Sequence, residues 1–333
     1  MLKSAEYFLA GFFGLEWTNN ATLEPIIEGN GQLWNNSLAG YDNCNNSNLA
    51  VSSGGTNASI QWENVYLQNA TARFNALSPN FKWNVSDVYN AQTLCPYETV
   101  AFGYSDWCDL FTYTEWQGFE YSIDLSFAGN NYFQSPTGRA VGIGYVEELL
   151  ARLNNHLLTS ATAQDNITLD SSPVTFPLNQ SLYFDFSHDT NMAAILTAFG
   201  LRQFAPLLPA TGPIPNHDLI VSHLQPFGAR VDIEVITAPQ PVAANRTEGG
   251  KAYTAGGQTK YIHFIINQRT LPLGASFPQC GNRTDGWCEL STFLTVQQQS
   301  LANAEYDFSC NGKYPVVPYG GITDGKPSVS PPS

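Results

Sequence analysis

LYFDFSHDTNMAAILTAFG, residues 182–200, changes its hydrophobic period half-way along. Leu182, Tyr183, Phe184, Asp185 and Phe186 form an aromatic, alternating run, which is the pattern of a strand. Met192, Ile195, Leu196 and Phe199 follow at helical spacing, and Gly200 is a helix stop. Between the two runs lies the polar cluster Ser187-His188-Asp189-Thr190-Asn191, at a strand-to-helix junction. The unpaired N–H groups of a helix start favour an anion there. An imidazole can donate to a phosphate oxygen, and a carboxylic acid can protonate a departing alkoxide. Thr190 and Asn191 are candidates for capping the helix, for holding Asp189, or for touching a substrate.

The cluster resembles the second signature of the histidine acid phosphatases, and the fungal phytases most closely. That signature is a strand ending in His-Asp, followed by Thr or Asn and an apolar helix. A second pair, His217-Asp218, lies in the Pro/Gly-rich stretch TGPIPNHDLI with no strand before it and reads as loop. The resemblance continues through EYFLAGFFG (6–14), LCPYETVAFG (94–103), DWCDLFTYTEW (106–116), PFGARVDIEVI (226–236) and YIHFIINQRTLPL (261–273). SPTGRAVGIGYVEELLARL (135–153) also matches, although Arg139 stands where phytases tend to carry proline.

One departure outweighs these matches. The family's first signature, Arg-His-Gly-x-Arg-x-Pro, carries the histidine that takes the phosphoryl group. No Arg-His dipeptide occurs in the 333 residues, and His156, His217, His223 and His263 lack the flanking arginines and glycine. Laid against the family, Met1 falls just after the third phosphate-binding arginine. The resemblance therefore implies a chain lacking the N-terminal half of the active site together with one or more N-terminal strands.

The chemistry implied by the resemblance is hydrolysis of a small phosphomonoester, phytate or similar, in two steps. A histidine attacks phosphorus and releases the alcohol, and water then hydrolyses the phosphohistidine. His188 would bind the phosphate, and Asp189 would be the proton donor and so must hold a proton at working pH. No cofactor is implied. Without the nucleophile and the first-signature arginines, this chain alone is expected to be nearly inactive. Without its central strand it is expected to expose apolar sheet edges and dissolve poorly.

Bulk composition suits a secreted protein. The chain has 43% hydrophobic and 13% aromatic residues, which excludes a disordered chain. Its formal net charge of −14 argues against nucleic acid or an anionic membrane as partner. Asn20, Asn35, Asn45, Asn57, Asn69, Asn84, Asn166, Asn179, Asn245 and Asn282 each begin an N-x-S/T sequon, so N-linked glycans and an extracellular location are expected. Six cysteines allow fifteen connectivities, and spacing alone does not choose among them. The family resemblance implies Cys44–Cys310, Cys95–Cys108 and Cys280–Cys288. No C-x₂-C or clustered His/Cys spacing appears, so no metal is expected. Residues 1–15 lack a signal-peptide cleavage pattern and read as an amphipathic helix through Leu2, Ala5, Phe8, Leu9 and Phe12.

The fold expected is α/β: a mixed-sheet domain flanked by helices, carrying an inserted smaller α-helical domain and lacking N-terminal strands. Residues 1–25 begin the α/β domain, 26–165 form the helical insertion, 166–324 complete the α/β domain, and 325–333 form a disordered Pro/Ser tail. Helices are expected at 61–78, 86–102 after a Ser86 cap, 112–129, 145–158 and 291–307. Strands are expected at 182–186, 229–236 and 260–267. His156 and His263 read as ordinary helix and sheet residues. Two rival functions remain at this stage. One is a secreted glycoside hydrolase using Asp185 with Asp189; the other is a non-catalytic binding relative.

Overall fold

A computed structural model of the chain describes residues 1–28, 35–246 and 252–331. Helix α1 (Leu2–Phe13) buries Ala5 and Leu9. A stretch of short 3₁₀ turns follows, and then four helices: α2 (Gly54–Tyr66), α3 (Gln68–Leu77), α4 (Val85–Phe102) and α5 (Tyr113–Asn130). The single helix expected over 61–78 is two helices that meet at Leu67, whose buried side chain joins Ala70, Phe74, Val88, Ala91 and Phe111 in a small core of their own. Both long helices here start at capping boxes, Asn84 with Asp87 and Thr112 with Glu115. Asn84, two residues before the expected Ser86, is thus the cap of α4. Glu115 also receives Arg73 at 3.1 and 2.8 Å, which ties α3 to the start of α5.

Helix α6 (Gly138–Leu153) starts seven residues earlier than the sequence reading and stops at Leu153. The turn α7 (Ile167–Asp170) leads to an irregular segment and to α8 (Asp189–Ala198), followed by the short α9 (Val221–Leu224). Strands β1 (Val231–Ala238), β2 (Thr259–Ile266) and β3 (Arg269–Leu271) pair in sequence order, and β4 (Cys288–Glu289) pairs with β2. All these pairings are antiparallel, with Glu234 opposite His263 and Val235 opposite Ile262. Ile262, Phe264 and Ile266 face the main core. There Phe264 meets Phe199 at 5.1 Å and, from α10 (Leu290–Ala304), Phe293 at 5.5 Å. The last helix, α11 (Tyr306–Asn311), is split from α10 at Glu305, whose φ is 45°.

The chain is therefore α/β, but two expectations change. Residues 182–186 carry no regular secondary structure and belong to no sheet, so the sheet of the described residues is antiparallel and not mixed. A strand needs a neighbour for its N–H and C=O groups, and no strand runs beside this segment. Its Phe184 and Phe186 pack instead on Phe8 of α1, at 5.0 and 5.5 Å. Tyr7, Phe12, Leu15 and Leu182 remain exposed around this aromatic cluster. The tail is not free from residue 325 onward: the Gly325 carbonyl accepts from Arg139 N–H at 2.9 Å, its N–H donates to Phe133 at 2.8 Å, and Pro327 is buried. Disulfides join Cys44 to Cys310, Cys95 to Cys108 and Cys280 to Cys288. No helix among the described residues is long and apolar enough to cross a membrane.

The contact that positions α8 is with α6. A Cβ on Gly142 would stand 2.3 Å from the carbonyl carbon and oxygen of Ala194 and 2.4 Å from the amide of Ile195. Backbone does not give way as a flexible side chain does, so only glycine permits this approach. Gly142→Ala is expected to lower the unfolding free energy by at least about 1–3 kcal/mol in urea titrations.

Asp124 of α5 is 2% exposed, accepts Val221 N–H of α9 at 2.7 Å and stands 3.6 Å from His217 Nε2. Burial pushes its carboxyl up to about 6. For an acid raised by folding, the stabilising contribution is full below its unfolded value of about 3.9 and is lost as pH rises through the folded one. Asp124→Asn should therefore lose less stability than the parent chain between pH 4 and pH 7, read by urea unfolding at both values.

Candidate active site

The His-Asp junction is built where the segment 182–187 enters α8. His188 is the N-cap residue, with extended backbone angles, and its side chain makes no cap hydrogen bond. Its ring turns outward. Nε2 lies 2.6 Å from Glu28 Oε1, and the edge of the ring meets Tyr41, with centroids 5.8 Å apart. The Tyr41 hydroxyl donates to the other Glu28 oxygen at 3.5 Å. Asp189, exposed at the first helical position, folds its Oδ1 back onto Thr190 N–H at 2.7 Å. Its carboxylate thus occupies the place at the helix start where an external anion would sit.

Thr190 borders a cleft of about 340 Å³ whose other walls include Tyr41, Asn48, Ser52, Asn130 and Gly138. The cleft is lined by polar and apolar groups in nearly equal measure and carries no basic side chain among the described residues. Asn191 is placed differently from the reading that gave it a share in substrate binding. It is fully buried; its Oδ1 accepts Gly40 N–H at 3.0 Å, and its Nδ2 donates to the Ser37 carbonyl and to Ser187 Oγ, each at 3.1 Å. Both N–H groups and the oxygen of the amide are bonded inside the fold, and the side chain is fully buried, so it does not face a ligand. Ser187 Oγ in turn donates to the Leu38 carbonyl. Asn191 and Ser187 therefore fasten the 36–41 segment beneath the junction, and Tyr41 reaches His188 because of it.

The surroundings of His188 are acidic. Glu28, Asp42 and Asp189 all act on Tyr41 or on one another there. Burial and these neighbours raise the Tyr41 phenol, while burial and Glu28 raise Asp42. No lysine or arginine pairs with His188 or Asp189 among the described residues. Asp185, the other half of the carboxylate pair considered for glycoside hydrolysis, faces Arg152 at 3.9 Å, whereas Asp189 is held by its own helix. The two acids have separate partners. The remaining histidines stand apart from the junction. His156 and His223 are exposed, His217 is held by the Ile214 carbonyl, and His263 lies between Glu234 and Thr270 on the sheet. Sequence reasoning missed Glu28 and Tyr41. Both lie among closely spaced sequon asparagines, and nothing in their local pattern marks them.

The sequence model of the histidine phosphatase superfamily (branch 2) matches residues 1–267. The chain belongs to this superfamily. Phytase A of Arthroderma benhamiae is 32% identical over 262 residues, 74% of this chain and 52% of that protein. Phytase A of Aspergillus terreus is 33% identical over 321 residues, 91% of this chain and 62% of that one. An acid phosphatase of Schizosaccharomyces pombe is 27% identical over 322 residues, covering 93% and 62%. Among solved structures, the phytase of D. castellii superposes with a TM-score of 0.65 at 23% identity, over 94% of this chain and 58% of that chain. That likeness shows the shared fold. This member of the superfamily spans between half and two thirds of the length of the curated relatives it matches.

Removing the Asn191 amide strands the buried Gly40 N–H and Ser37 carbonyl and takes a donor from the half-buried Ser187 hydroxyl. Asn191→Ala is expected to cost about 2–3 kcal/mol of stability, measured in urea. It should also open the Gly40 amide to fast hydrogen exchange while exchange within α4 stays slow.

Proposed function

We propose that this chain supplies the proton-donor side of a secreted phosphomonoesterase site of the phytase and acid phosphatase kind. The observation that carries the reading is the His188-Asp189 pair at the open N-terminus of α8, beside the cleft bordered by Thr190. In the reaction proposed, His188 exchanges Glu28 for a non-bridging phosphate oxygen, to which Nε2 donates. Asp189 leaves the Thr190 amide and passes its proton to the leaving-group oxygen as the P–O bond breaks. The attacking histidine is that of the Arg-His-Gly-x-Arg-x-Pro signature, which these 333 residues do not contain. The acidic ring of Glu28, Asp42 and Asp189 points the same way: a phosphate dianion needs cations here that the described residues do not supply. Three disulfides with no free cysteine among the described residues, and eight of the ten sequon asparagines exposed, support an oxidising, secretory route. Asn35 is a weak glycan acceptor, being half-buried with its Nδ2 donating to the Asp165 carbonyl at 3.0 Å.

The test joins this chain to the N-terminal portion of the Aspergillus terreus phytase A, which is to provide the signature. The 333-residue chain alone should give background hydrolysis, and the joined protein should turn over phytate and p-nitrophenyl phosphate. Asp189→Asn in the joined protein should lower turnover of an alkyl phosphate roughly 10²–10⁴-fold. It should lower that of p-nitrophenyl phosphate far less, because nitrophenolate departs without a proton. Equal losses on both substrates would remove the proton-donor role. The missing Arg-His pair also favours a second reading, a relative that binds phosphate esters without turning them over. A joined protein that binds phytate and hydrolyses neither ester would establish it.

A further inference from the structure

Behind the junction lies a second polar cluster, sealed from solvent. Glu148 of α6 and Asp165 and Asp170 around α7 each place a carboxylate oxygen within 4.8 Å of the others. They are 6%, 0% and 5% exposed. Among the described residues one cation faces them: Arg152 stands 3.8 Å from Glu148, is shared with Asp185 at 3.9 Å, and rests on the rings of Phe176 and Tyr183. A single guanidinium cannot balance three buried carboxylates.

Unpaired oxygens converge on the same spot. Gln164 Oε1, Asp165 Oδ1 and Asp170 Oδ2 have no hydrogen-bond partner among the described residues. Gln164 is 0% exposed, so water does not satisfy its oxygen from outside. The Ser37 side chain lies against the Glu148 carboxylate. Gln164 Oε1 and Asp165 Oδ1 flank the bare face of Gly144, one turn before Glu148, at 3.2 and 3.5 Å from where a Cβ would stand. Acceptors without donors, beside three buried carboxyl groups, offer places for a positive species. Oxygen donors suit a hard cation. Calcium takes six to eight oxygens at about 2.3–2.6 Å, so two of its ligands stand no more than about 5 Å apart. The carboxylate spacing meets that limit.

We propose that Glu148, Asp165 and Asp170, with the oxygens of Ser37 and Gln164, bind a calcium-sized divalent cation. The ion would join α6, the 164–170 segment and the residue 36–40 segment. That last segment is the one Asn191 grips, so the ion braces the start of α8 from behind without touching the His-Asp pair. The proposal stands apart from the catalytic reading, since it concerns the stability of this chain and not turnover.

The experiment uses the 333-residue chain, stripped with EDTA and dialysed at pH 7. Calcium chloride alone should raise its melting temperature saturably, by about 2–4 °C for each tenfold increase above the dissociation constant. Terbium chloride should give tyrosine- or tryptophan-sensitised emission that calcium displaces. Glu148→Gln and Asp170→Asn should each abolish the calcium-dependent shift and at least tenfold of the displaceable emission. Glu234→Gln, on exposed β1, should change neither. A parent chain whose melting temperature ignores calcium would overturn the proposal, even if it rises on acidification, because protons alone would then neutralise the cluster. Emission that survives in both cluster variants would overturn it equally, by assigning terbium to the acidic surface.

Discussion

The backbone contact between α6 and α8 at Gly142 holds the rest in place. It brings two helices together more closely than any side chain would permit, and it sets the height at which the first turn of α8 emerges. Along the same helix pair the main core continues through Leu196, Phe199 and Ile143 to Phe264 of the sheet and Phe293 of α10. Non-directional apolar burial supplies most of the favourable energy of such a core, but it does not by itself fix where a polar junction points. The close approach does that, and Asn191 completes it by pinning the 36–41 segment beneath the helix start.

The donors of the junction are already engaged. Two carboxylates stand where anions of a substrate would stand: Glu28 on His188, and Asp189 on the Thr190 amide. Each contact satisfies a donor that would otherwise be bare. Each must also yield before a phosphate enters, and an acidic surround makes that entry unfavourable unless positive charge is brought in. Segment 182–187 carries no regular secondary structure; its aromatic side chains rest on α1, and it belongs to no sheet among the described residues.

Much of this was legible beforehand. The change of period at residue 187 marked the start of α8 to within two residues, because an alternating run and a 3.6-residue run cannot share one conformation. The helices of the smaller lobe were visible from their apolar spacing, although the break at Leu67 was not, since both halves keep a helical period. Strands β1 and β2 were legible from alternation. Residues 182–186 alternate just as clearly, and the pattern failed there because alternation reports a side-chain period and says nothing of whether a pairing partner lies alongside. The tail at Gly325–Pro327 looked disordered from composition, yet two backbone hydrogen bonds to Phe133 and Arg139 hold it.

The sequence by itself determined the family and marked the junction to which the proposed chemistry is assigned. His188-Asp189 at a helix start, and the family pattern around it, are local strings, and local strings survive without a fold. The tertiary structure alone decided what surrounds them. Glu28 and Tyr41 reach His188 from about 150 residues away, Asn191 turns inward, and Glu148, Asp165 and Asp170 come together although nothing in their spacing foretells it. The physical reason is the same in each case. These groupings are set by how helices pack in three dimensions, and packing depends on shape and burial summed over the whole chain, which no short stretch of residues contains.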